Sequence, residues 1–137
     1  MPKVMIVENL NKPLWSIKKL LSSINFEIVF ETGNGFEAIE KYDLVEPDFV
    51  LLDNKLSKSD GLNVLTGIKK INSEAKIIMV TYLDDHDRIE EFTKNGAYAV
   101  LTIPYKIKEF LILVNNRNLT YDQKSRKTAP IISDDNS

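Results

Sequence analysis

Cysteine is absent from this 137-residue chain. Disulfide cross-links, thiol nucleophiles and cysteine metal sites are excluded with it, and the absence agrees with a reducing compartment. Long apolar runs are missing as well. No stretch approaches the ~20 residues needed to cross a bilayer, so no membrane association through a span is expected. Neither sign of charge dominates. Eighteen Lys and Arg stand against 20 Asp and Glu for a net charge of -2, so no global basic field draws the chain to nucleic acid or to an anionic membrane. The first residues lack the charged-then-apolar layout of a secretory signal, and the expected location is the cytoplasm.

What is present is an ordinary globular composition, 43% apolar and 28% charged, in a chain long enough for one domain with a core but not for two. Apolar runs alternate with helical patterns. Lys3 to Val7, Phe26 to Phe30, Phe49 to Leu52, Lys76 to Val80 and Ala99 to Thr102 read as five strands. Between and after them, apolar residues recur at helical spacing in five segments: Leu14, Ile17, Leu21 and Ile24; Phe36, Ile39 and Tyr42; Leu62, Leu65, Ile68 and Ile71; Ile89 and Phe92; and Ile107, Phe110, Leu111 and Val114. Short connections between alternating elements imply a parallel α/β sheet with right-handed crossovers and helices on both faces. The pattern fades near Leu119, so the expected division is a domain over residues 1–118 and a flexible polar tail or linker over 119–137, whose only apolar pair is Ile131-Ile132.

The segment Pro47-Asp48-Phe49-Val50-Leu51-Leu52-Asp53-Asn54 carries the most chemistry. A continuous apolar run is the mark of a strand buried on both faces, and this one ends in a carboxylate at the carboxyl edge, where open α/β sheets bind ligands. Glu8 and Asn9 end the first strand, Thr81 lies at the end of the fourth, and Ile103-Pro104 ends the fifth. Carboxylates at two neighbouring strand tips form a site for a hard cation such as Mg2+. A hydroxyl at Thr81 can hydrogen-bond a phosphoryl oxygen. With a metal screening the approaching anion, Asp53 can act as a nucleophile and become an aspartyl phosphate.

At this point the chain resembles the receiver domains of two-component response regulators. The resemblance rests on Val7-Glu8, Asn34-Gly35-Phe36-Glu37-Ala38, Leu51-Leu52-Asp53, Asp60-Gly61-Leu62, Val80-Thr81, Asn95-Gly96-Ala97 and Ile103-Pro104-Tyr105, in that order, between Lys3 and Asn116. It implies a doubly wound, flavodoxin-like fold with strand order 2-1-3-4-5. It implies phosphotransfer from a histidine kinase or phosphotransfer protein to Asp53, with Thr81 as the switch hydroxyl. Glu8, Asn9, Asp53 and the backbone carbonyl of Lys55 would hold Mg2+. A downstream protein partner, or a second copy of the chain, would read the face formed by the fourth helix, the fifth strand and the fifth helix. The domain itself would bind no nucleic acid and turn over no substrate.

Four positions depart from the family pattern. Asn9 stands where a second acid is usual, Ile103 where a lysine is usual, Val100 where an aromatic switch residue is usual, and Tyr82 where a small residue follows the hydroxyl. The first two offset each other in net charge, leaving the site near about -2 before metal in both cases. An amide oxygen in place of an anionic ligand weakens Mg2+ binding, and the lost lysine removes a donor to the phosphoryl group. A second reading follows from these departures: a pseudo-receiver that is not phosphorylated and serves as an interaction module. A third belongs to another class. Gly33-Asn34-Gly35-Phe36-Glu37-Ala38 fits the dinucleotide-binding G-x-G-x-x-A pattern, with Asp53 further on as a ribose-binding acid. It follows the second strand rather than the first, which argues against it.

Overall fold

A computed structural model describes residues 2–9, 18, 21, 25–56, 59–82, 86–103, 107–115 and 131–132. Its strands are β1 (Lys3–Val7), β2 (Glu27–Thr32), β3 (Phe49–Asp53), β4 (Ile77–Tyr82), β5 (Ala99–Ile103) and β6 (Ile131–Ile132). Its helices are α1 (Gly35–Val45), α2 (Gly61–Ile71), α3 (His86–Lys94) and α4 (Ile107–Asn115), the second to fifth expected from the sequence. Of the first expected helix, only Lys18 and Leu21 belong to the described residues, both helical; Leu14, Ile17 and Ile24 lie outside them, as does Pro104.

All strand pairs are parallel, in the order β2-β1-β3-β4-β5-β6. The first five reproduce the expected order. A short sixth strand is added at the edge, where Val100 and Leu101 pair with Ile131 and Ile132. Two β-branched residues in a polar segment meet the unpaired backbone edge of β5, which offers hydrogen bonds to any extended chain that reaches it.

The sheet separates two apolar layers. Met5, Val7, Val50, Leu52, Ile77, Met79 and Val100 face α1, α2 and α3, and pack with Ala38, Tyr42, Leu65, Ile68 and Phe92. Val4, Ile6, Leu51, Ile78, Val80 and Leu101 face the other way, toward Leu21 and, on α4, Phe110 and Leu113. Alternation by twos along each strand sends neighbouring residues to opposite layers. Both layers are covered, which is why β3 and β5 are buried at every position and apolar almost throughout. Not every residue of the helical stripes turns inward. Phe36 in the first turn of α1 is 68% exposed, while Ala38 and Tyr42 of the same helix are buried. Among the described residues, no helix is long and apolar enough to cross a membrane.

Register fixes what meets at the carboxyl edge. Val7 pairs with Leu52, so Glu8 and Asp53 follow side by side at the tips of β1 and β3. Asp53 pairs with Val80, which puts Thr81 one step beyond, and Thr81 pairs with Thr102.

Candidate functional site: an acidic cup at the carboxyl edge

Asp53 lies at the floor of the rim formed by these tips. It is 6% exposed, and Glu8 beside it is 3% exposed. The loops after β1 and β3 supply backbone donors to its carboxylate. The Lys55 amide donates to Oδ1 at 2.9 Å and the Asn9 amide to Oδ2 at 3.4 Å. Burial nevertheless pushes the Asp53 carboxyl above its ordinary range; the two backbone amides, then the Lys55 charge, oppose that shift without cancelling it.

The β3–α2 loop folds back tightly over the strand end. Lys55 and Asp60 form an isolated antiparallel bridge, and the Gly61 amide donates to the Asn54 carbonyl at 3.0 Å. The Asp60 carboxylate caps α2 by accepting from the Leu62 amide at 3.2 Å. This return needs glycine at 61. A Cβ there would come within 2.7 Å of the Asp53 carbonyl oxygen and 2.9 Å of the Asn54 Cα, both backbone atoms that cannot rotate away. Gly61→Ala is therefore expected to lower the stability by about 1–3 kcal/mol through forced displacement of the loop. Urea unfolding measures this, and an unchanged midpoint would refute the close approach.

Thr81, 3% exposed, meets the loop through Asn54. The Asn54 side-chain amide donates to Thr81 Oγ1 at 3.2 Å. Arg88, in the first turns of α3, completes the wall. Its Nη2 donates to Asn54 Oδ1 at 3.2 Å and to Asp60 Oδ1, and its Nη1 donates to Glu91 Oε1 at 3.0 Å. Asn54, Lys55, Leu56, Ser59, Asp60 and Arg88 line an open cleft of about 710 Å³ that starts one residue beyond Asp53.

Of the residues expected from the sequence, Asn9 and Lys55 touch Asp53 directly, Thr81 is joined to this group through Asn54, and Glu8 occupies the adjacent strand tip. Ile103 and Val100 are buried within the core layers, 9% and 0% exposed, so the position usual for a lysine is apolar. Arg88 was not legible as a site residue. Its one sequence signal is a lone cation among Asp84, Asp85 and Asp87, acids of the kind favoured at a helix start. Asp87 does lie in the first turn of α3; Asp84 and Asp85 lie outside the described residues.

The dinucleotide fingerprint does not survive the geometry. Its turn follows β2, the edge strand, and β1 separates β2 from Asp53 on β3. The space a pyrophosphate would need against Gly35 is filled: a Cβ there would lie 2.1 Å from Ser59 Oγ and 2.4 Å from a Val64 methyl.

The family model of the response regulator receiver domain matches residues 4–115. The chain is 33% identical over 111 residues to the chemotaxis protein CheY of Listeria monocytogenes, a match covering 81% of this chain and 93% of that one. Among solved structures, a response regulator receiver domain protein from Clostridium thermocellum superimposes with a TM-score of 0.75 at 26% identity, covering 85% of this chain and 93% of that one. The CheX-CheY-BeF3-Mg2+ complex from Borrelia burgdorferi gives a TM-score of 0.73 at 25% identity, covering 82% and 85%.

Proposed function

The chain belongs to the response regulator receiver domains and acts in phosphorelay signalling, and from that premise we propose that Asp53 is its phosphoacceptor. The observation carrying this reading is a buried carboxylate at the tip of β3, held by two backbone amides and flanked by Glu8. One Asp53 oxygen forms the new bond to phosphorus as the bond to the donor breaks. With a phosphohistidine donor, the electron pair leaves on the imidazole nitrogen. The amides of Lys55 and Asn9 orient the carboxylate for this attack, and Thr81 donates its hydroxyl to a phosphoryl oxygen.

Receiver domains in general bind Mg2+ at the phosphorylation site, and the donor set here suits it: two buried carboxylates and neutral oxygens are hard ligands, and burial makes the charge on Asp53 costly. Glu8, Asn9, Asp53 and the Lys55 carbonyl would hold the ion, more weakly than a site with three acids. When bound, Mg2+ neutralises charge between the carboxylates and the phosphoryl oxygens.

Receivers interact with histidine kinases or phosphotransfer proteins, and in general they are signalling modules rather than turnover enzymes. For this chain the donor is a cytoplasmic kinase or phosphotransfer protein. The output is a protein, or a second copy of the chain, reading the face around α3, β5 and α4. On this reading 1–118 is the receiver domain and 119–137 a polar tail or linker, of which Ile131–Ile132 forms β6. Among solved neighbours, a CheY from Borrelia burgdorferi is in complex with CheX, BeF3 and Mg2+, which supports a role for Mg2+ in this chain.

Incubation with acetyl phosphate and Mg2+, followed by intact-mass analysis, tests the reading. Wild type gains one phosphoryl group and Asp53→Ala gains none. No gain in wild type would favour the pseudo-receiver, for which the loss of the lysine and acid at Ile103 and Asn9 is the specific observation.

A further inference from the structure

Arg88 stands outside the phosphoacceptor chemistry, yet its hydrogen bonds determine what Thr81 can do. A guanidinium has donors only. The atom of the Asn54 side chain that faces Arg88 Nη2 at 3.2 Å must therefore be the carbonyl oxygen. That fixes the amide orientation: Asn54 Nδ2 faces Thr81 Oγ1 at 3.2 Å and donates to it. Thr81 must accept this bond, so its own hydrogen is directed elsewhere, available to an oxygen arriving over Asp53. The backbone of Asn54 cannot drift out of this chain of donors. Its amide donates to the Val80 carbonyl at 3.1 Å, and its carbonyl accepts from Gly61 at 3.0 Å. Arg88 is itself pinned on three sides, by Asp60, by Glu91 at 3.0 Å and by the Phe92 ring, 5.3 Å from the guanidinium carbon.

We propose that Arg88 is a positioning residue for phosphoryl acceptance: through Asn54 it holds the Thr81 hydroxyl as a donor, and it ties that hydroxyl to α3. The inference rests on the reading of Asp53 as phosphoacceptor. It places the link between the site and α3 in a polar chain, Thr81–Asn54–Arg88, in a protein whose β5 carries the fully buried, aliphatic Val100. A shift of Thr81 toward a phosphoryl group pulls on Asn54, and through it on a side chain anchored to Glu91 and Phe92 of the same helix.

A double-mutant cycle separates a positioning role from a merely structural one. The rate of phosphoryl gain from acetyl phosphate is measured by intact mass in wild type, Arg88→Met, Thr81→Val and the double variant. Methionine keeps apolar contact with Phe92 and removes the donors. Arg88→Met should slow acceptance about three- to tenfold, the change that one neutral hydrogen bond carries, and should have no further effect in the Thr81→Val background. Should Arg88→Met prove unstable, Asn54→Leu breaks the same chain while leaving Arg88 on Asp60 and Glu91, and it should reproduce the loss. Equal slowing in both backgrounds, or none in wild type, overturns the role of Arg88 while leaving Asp53 as acceptor. Absence of any phosphoryl gain in wild type overturns both.

Discussion

Asp53→Asn is expected to abolish phosphoryl gain and at the same time to raise the thermal midpoint at neutral pH. Both effects would share one cause, the burial of the Asp53 carboxylate. Burial raises the Asp53 carboxyl above its ordinary 3.8 in the fold, so between that value and the raised one the folded chain binds more protons than the unfolded chain. Stability associated with this group is then fully present below the ordinary value and is lost as pH rises through the folded value. At neutral pH the ionised side chain opposes folding. Asparagine keeps an oxygen to accept from the Lys55 amide and carries no charge. The variant should melt higher at pH 7, and the gap should close as pH falls toward the ordinary carboxylate range. Millimolar Mg2+ should raise the wild-type midpoint and leave the variant unmoved, since ligand that binds the folded state stabilises it by mass action. Differential scanning calorimetry across pH, with and without Mg2+, decides the matter. A variant that melts below wild type at pH 7 would show that the buried charge is already compensated.

Phe92→Ala should produce the largest loss of stability among single substitutions near the site. Phe92 is completely buried on α3, within the layer that includes Val64, Leu65, Ile89 and Val100. Deleting a buried ring removes its transfer energy and leaves a cavity, about 3–5 kcal/mol together. That is a large share of a domain's ~5–15 kcal/mol. The same ring supports the Arg88 guanidinium, so phosphoryl acceptance should slow in the fraction that stays folded. Phe36→Ala is the matched control: same residue type, 68% exposed, expected change within about 0.5 kcal/mol. Urea denaturation of the two variants compares them directly. A loss at Phe36 as large as that at Phe92 would contradict the assignment of the core.

Much of this molecule could be read before folding. Apolar runs such as Phe49-Val50-Leu51-Leu52 and Ile77-Ile78-Met79-Val80 can be satisfied only by strands covered on both faces, and their alternation with helical stripes leaves a doubly wound sheet as the economical arrangement. The position of Asp53 at a strand tip follows from the same pattern, because the run ends there. Helical periodicity was less discriminating. It enrolled Phe36 with Tyr42, whereas α1 turns Phe36 outward in its first turn, where a few residues of pattern do not specify a face.

Local sequence, acting over a few residues at a time, thus determined the class of fold, the existence of an acid at the end of β3 and the identity of the groups on neighbouring tips. Tertiary structure alone decided three other things: that Asn54, Asp60 and Arg88 converge beside Thr81, that Ile131-Ile132 extends the sheet, and that burial raises the proton affinity of Asp53. The reason is distance along the chain. Arg88 lies 34 residues from Asn54 and 28 from Asp60, a separation over which no periodicity or spacing rule operates. Hydrogen-bond polarity and desolvation, in turn, depend on which atoms surround a group once the chain has closed around it.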